Sequence, residues 1–230
     1  MSNVVQSLPD VIMAIGGLGT AAFGLVDSTK VFWGGANRIG FGKIRAAITA
    51  LTPAAAANGL TRVKIVDTLR ANWFNGKDLE SQKAIAKSLI KLGLNESTAP
   101  GLADATGVDA DTLKAVGAKI ARGEALSAAE TDIYSRFDFM LTAILDEVYQ
   151  DSDQAYTNGT RTLAAFFAVA LGFFGGWVLN GGTLAGYWWT KEMGEGIFAG
   201  LLATPLAPVA KDIANALSTA VNTMQKLKGK

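Results

Sequence analysis

Two acidic pairs are the first residues in this chain whose types and spacing could do chemistry. Asp109-Ala-Asp111 and Asp151-Ser-Asp153 each set two carboxylates at the spacing that opens a calcium loop. An EF-hand loop also needs a further ligand pair, a central glycine and a glutamate at its twelfth position. Neither segment has them, so Asp109 reads as a helix N-cap and 151–153 as an acidic linker. Ile15-Gly-Gly-Leu-Gly carries part of a dinucleotide fingerprint, but no strand precedes it. Gly40-Phe-Gly42 lacks the Lys-Ser/Thr of a phosphate loop. Asn95 and Asn158 head Asn-x-Ser/Thr sequences, both on the expected inner side of a membrane, where glycosylation is not expected.

The chain has no cysteine and no histidine. That removes disulfides, thiolate nucleophiles, Cys or His metal ligation, and imidazole as a proton shuttle. No catalytic, cofactor-binding or metal residue is singled out, no cofactor is expected, and the chain is read as non-enzymatic.

The elements that would position any chemistry are dominated by three apolar stretches, over about residues 11–33, 162–180 and 196–214. A helix crosses a bilayer in about 17–25 apolar residues, and each stretch is that long or nearly so. The residues before the first stretch hold no Lys or Arg, and the run continues to Trp33 without a cleavage motif. It is read as a retained membrane helix rather than a signal peptide. The expected fold is therefore all-α, with three transmembrane helices and a cytosolic multi-helix domain between the first and second. The expected divisions are 1–36, 37–160, a helical hairpin over 161–216, and a basic amphipathic tail over 217–230.

Lys and Arg bias gives the direction. Lys30, Arg38, Lys43 and Arg45 follow the first stretch, Arg161 precedes the second, and Lys226, Lys228 and Lys230 follow the third. The expectation is N-terminus outside and C-terminus cytoplasmic in a multi-pass cell-membrane protein. Trp177, Tyr187, Trp188 and Trp189 then form an outer aromatic belt, with Phe32 and Trp33 at the inner face. The plan of one helix, a cytosolic domain and a hairpin resembles bacterial inner-membrane proteins in a general way.

Small residues at helical spacing mark faces on which membrane helices approach closely. The first helix has Gly17, Ala21 and Gly24, the second Gly172 and Gly176, and the third Gly196 and Gly200. These are the candidate helix-packing residues, within one chain or between copies. Pro205 and Pro208 predict a packing kink in the third helix. Asp27 and Lys211 lie at matching depth as a candidate interfacial ion pair.

The central segment reads as a series of helices punctuated by glycine. Ile44, Ile48 and Leu51 share a face that suits either the membrane surface or a domain core. Val66, Leu69 and Trp73 mark the next helix. Asp78 and Asp109 are expected N-caps, with Ile85, Leu89 and Leu92, and then Leu113, Val116 and Ile120, facing inward. Ser127 and Glu130 form a capping box ahead of a stripe of Ile133, Phe137, Met140, Ile144 and Val148. Asn158-Gly159-Thr160 reads as a hinge before the second membrane stretch.

The overall net charge of +1 hides a split. Residues 37–91 hold ten Lys/Arg against three Asp/Glu, and residues 92–160 hold four against twelve. Two faces of one domain attracting each other is the simpler reading. The sharper one sets the basic half near anionic lipid and lets the acidic half 92–160 meet another protein. A basic groove interleaved with aromatics is missing, so no nucleic-acid partner is expected. The bilayer and further copies of the chain are the expected partners. The expected function is a self-assembling structural or scaffolding membrane component. An oligomeric channel or small transporter is the alternative, and a membrane-surface enzyme using carboxylate or Lys chemistry comes third.

Overall fold

The computed structural model of the chain describes residues 2–32, 34–52, 60–182 and 186–206, with side chains from residue 11 onward. Every regular element among them is helical. These are α1 (Ser2–Thr29), a 3-10 turn (Gly35–Arg38), α2 (Phe41–Leu51), α3 (Arg62–Phe74), α4 (Leu79–Leu92), α5 (Ala99–Thr106), α6 (Ala110–Arg122) and α7 (Ala128–Leu179). Residues 191–206 form a further helix, α8. The chain divides into two compact units, Met1–Ala36 with Thr157–Lys230, and Asn37–Tyr156.

In the unit Asn37–Tyr156, capping chemistry sets the helix starts. Asp78 accepts from the Ser81 N–H at 2.8 Å and Asp109 from the Thr112 N–H at 2.8 Å. The Ser81 N–H holds the Asp78 carboxyl below the usual carboxylate range, and the Thr112 side chain, followed by its N–H, does the same for Asp109. The Ser127 N–H donates to Glu130 at 2.7 Å and the Glu130 N–H to the Ser127 hydroxyl at 3.3 Å, which is the reciprocal capping box. Gly107 and Gly123 end α5 and α6 in the left-handed conformation that a side chain disfavours.

The buried faces of these helices form one core. It takes Ile44 and Ile48 from α2, Leu69 and Trp73 from α3, Ala86 and Ile90 from α4, and Leu113 and Val116 from α6. Leu102 and Ala103 from α5 and Phe137, Leu141, Leu145 and Tyr149 from α7 join it. The α2 face is thus a core face, which decides against the membrane-surface alternative. Two expected stripes hold in part: Phe137 is in the core and Ile85, Leu89, Ile133, Ile144 and Val148 pack against it, but the most buried line of each helix runs beside them. In α4 the buried residues are Gln82, Ala86 and Ile90, while Leu92 is 64% exposed. In α7 the i, i+4 series from Phe137 is buried and Met140 is 45% exposed.

Among the described residues, two helices are long and apolar enough to cross a membrane, α1 from Val11 to Thr29 and α7. Part of the third apolar stretch, residues 207–214 with Pro208, lies outside the described residues, as do Trp33 and the expected tail over 217–230. The hinge expected at Asn158-Gly159-Thr160 is instead helical. A single glycine costs a helix only about 1 kcal/mol relative to alanine. The hydroxyls of Thr160 and Thr162 bond back to the carbonyls of Thr157 and Asn158 at 3.0 and 2.9 Å.

Candidate functional site

The candidate site in the unit that holds α1, the end of α7 and α8 is built from small residues. Ala22 of α1, Ala168 of α7 and Ala203 of α8 are fully buried and form one cluster, with Ile15, Leu18 and Phe167 around it. Three alanines at one point let three backbones come close, the arrangement small side chains permit in an apolar medium.

The glycines of α7 and α8 carry the approach further. A methyl group placed on Gly172 would fall on the carbonyl oxygen of Gly196, and one on Gly200 would meet the backbone of Ala168 and Val169. Gly176 leaves room for the hydroxyl of Tyr187 and the carbonyl of Glu192. That Tyr187 hydroxyl donates to the Phe173 carbonyl at 2.8 Å, and the Phe173 and Tyr187 rings meet edge-on at 5.1 Å. Tyr187 is therefore buried between α7 and α8 rather than standing in an aromatic belt, while Trp188 and Trp189 are exposed. Gly172, Gly176, Gly196 and Gly200 all serve contacts within the chain.

The first helix behaves differently. Its Gly16, Gly19, Ala22 and Val26 are buried, whereas Gly17, Ala21 and Gly24 are exposed on the other side. A Cβ added at Gly17 or Gly24 would meet nothing within 4 Å. Asp27 is held by Lys30 one turn on, at 2.7 Å, and Lys211 lies outside the described residues.

In the unit Asn37–Tyr156 the two charged halves meet. Lys83, Lys87 and Lys91 recur every four residues on α4, opposite Asp138, Thr142 and Asp146, spaced likewise on α7. Lys83 pairs with Asp146 at 2.6 Å, and Asp138 receives Lys87 at 2.6 Å and Lys91 at 2.8 Å. Lys87 also donates to the Thr142 hydroxyl at 2.9 Å. Burial pushes the Asp138 carboxyl up, but the two lysines outweigh it and hold it below the usual range. Lys43 pairs with Asp151 at 2.9 Å. The acidic pairs thus have structural work, Asp109 as a cap and Asp151 as a partner of α2.

A further group of charged residues was not singled out from the sequence. Arg38, Arg45, Arg62 and Arg70 line a groove of about 720 Å³ beside α2 and α3, with Asp67 as its one carboxylate. Arg62 donates from its Nε at 2.8 Å, and from an Nη, to the Thr52 carbonyl at the end of α2. Arg70 pairs with Asp67 at 3.1 Å. The spacing Arg38, Gly42, Arg45, Thr49 on one segment and Arg62, Val66, Arg70 on the next was the available signal.

No protein-family model, curated protein or solved structure matches the chain.

Proposed function

We propose that the chain is a non-enzymatic integral membrane protein that self-assembles through α1, acting as a structural or scaffolding component. The observation that carries this reading is the exposed Gly17–Ala21–Gly24 face, with open space at both glycines. Gly172, Gly176, Gly196 and Gly200 of α7 and α8 are consumed by contacts inside the chain. A second copy supplies what the α1 face lacks, because close packing of small residues is what drives helix association in lipid. On this reading α1, α7 and α8 cross a cell membrane of the bacterial inner-membrane type, with the N-terminus outside and the C-terminus cytoplasmic. The Lys and Arg bias supports that direction.

The test is the mass of the purified chain in a mild detergent, measured by light scattering, for the wild type and for Gly17→Leu and Gly24→Leu. The wild type is expected to run as a multimer that either substitution dissociates. A monomeric wild type, or leucine variants of unchanged mass, defeats the proposal.

A further inference from the structure

We propose that the turn between α7 and α8 is a lipid-contact site, whose two exposed tryptophans lodge at the boundary between phospholipid headgroups and acyl chains. Trp188 is 61% exposed and Trp189 is 92% exposed. An indole joins a large apolar face to a single N–H donor. Water suits the face poorly, and hydrocarbon leaves the N–H unpaired. The headgroup boundary, where ester and phosphate oxygens lie over acyl chains, satisfies both. The inference rests on α7 crossing a membrane, as proposed above, and not on self-assembly through α1.

The backbone singles out the same turn. Trp189 has a φ of 68° and is the one residue other than glycine with a positive φ among the described residues. A large side chain disfavours that conformation, which persists only where surrounding bonds impose it. Here they do. The Tyr187 hydroxyl donates to the Phe173 carbonyl at 2.8 Å. The Thr190 N–H returns to the Tyr187 carbonyl at 3.2 Å, and the Thr190 hydroxyl accepts the Met193 N–H at 3.3 Å as α8 begins. With Tyr187 locked between the helices, its two successors face outward. The Trp188 ring lies 6.0 Å from that of Phe173, which steadies it without covering it. Strain that exposes an indole gains no packing inside the chain, and a lipid surface supplies the missing contact.

The neighbours set the depth. Leu179 at the end of α7 and Phe198 on α8 are exposed and suit acyl chains. Between them in sequence, Lys191 and Glu195 pair at 3.2 Å with both side chains largely exposed, and suit headgroups and water. The turn therefore stands where apolar surface gives way to charge, the level at which tryptophan is enriched in membrane proteins.

Tryptophan fluorescence of the full chain in phosphatidylcholine vesicles tests this. Bromine quenchers are placed on the lipid near the headgroup or near the chain end, and iodide is supplied in the water on both sides. The signal read is the difference between the wild type and the double variant Trp188→Phe/Trp189→Phe, which cancels the chain's other tryptophans. It is expected to be quenched most by the headgroup-side bromine and little by iodide. Trp189→Gly relieves the left-handed strain, so it should keep the wild-type thermal midpoint in detergent or raise it, while losing its part of the signal. Quenching mainly by iodide, quenching mainly by the chain-end bromine, or a lowered midpoint in Trp189→Gly overturns the proposal. A chain that carbonate washes off the vesicles overturns the membrane reading with it, whereas a chain that stays bound and fails on depth overturns this inference alone.

Discussion

Gly172 and Gly196 occupy each other's side-chain space. A Cβ on either would fall on the other's carbonyl oxygen, so α7 and α8 meet backbone to backbone there. Gly172→Ala or Gly196→Ala is expected to push the helices apart and cost about 1–3 kcal/mol, the usual range for overpacking. Gly175→Ala, where an added methyl meets nothing within 4 Å, should leave stability unchanged or slightly raised. Thermal unfolding in detergent, followed by circular dichroism, separates the two.

Asp138 is the shared anion of Lys87 and Lys91, and all three side chains are less than a third exposed. Asp138→Asn leaves two half-buried ammonium groups side by side without their carboxylate. The expected loss is about 2 kcal/mol, the cost of orphaning such charges. Adding Lys87→Met should recover part of it, and a double-mutant cycle by denaturant unfolding reads the coupling.

Glu130 gives a pH signature. The Lys119 ammonium, at 2.8 Å, and the Ser127 backbone N–H hold its carboxyl down at about 2. A carboxyl depressed on folding contributes stability above its unfolded value, and that contribution is lost as pH falls through the folded one. Stability should therefore decline between about pH 4.5 and about pH 2. Glu130→Gln should flatten the part of the decline that this residue contributes. An unchanged slope in a pH series of unfolding midpoints contradicts the assignment.

Two glycines two residues apart should respond with opposite sign. Gly40 holds a φ of 88°, and a Cβ there would fall on the Ser152 carbonyl. Gly40→Ala combines left-handed strain with a backbone clash and is expected to cost more than about 2 kcal/mol. Gly42 has open space and lies in α2, so Gly42→Ala should stabilise by about 0.5–1 kcal/mol through helix propensity. Unfolding midpoints of the pair check both signs.

The buried face of α7 is tested by neighbours. Leu141 is fully buried and Met140 is largely outside the core. Leu141→Ala should cost about 2–5 kcal/mol and Met140→Ala under about 1 kcal/mol. Equal costs would contradict the observed burial of Leu141 beside an exposed Met140.

Some of this was open to reading from local residues alone. Asp78, Asp109 and the Ser127–Glu130 pair begin helices because a cap is a bond between a side chain and a backbone N–H three residues on. Gly107 and Gly123 end helices because the left-handed conformation is theirs without penalty. The helical class of the whole chain follows from the same local energetics and from apolar periodicity. Which face is buried followed for Leu69 and Trp73 of α3 and Leu113 and Val116 of α6, but only in part for α4. Helix α4 has apolar residues at 79, 84, 85, 86, 89, 90 and 92, a stripe broad enough for two orientations. Its lysines at 83, 87 and 91 facing the carboxylates of α7 choose between them.

The small-residue faces divide along the same line. Sequence alone marks Gly17, Ala21, Gly24, Gly172, Gly176, Gly196 and Gly200 as able to pack closely, because the absence of a side chain is a property of the residue. Only the tertiary arrangement determines that the last four are spent inside the chain and the first three are left open. Likewise each arginine's charge belongs to the sequence. The groove that collects four of them exists only because α2 and α3 are brought side by side by a shared core. Caps and propensities act over a few bonds, whereas faces and grooves depend on partners distant in the chain, and only packing chooses those.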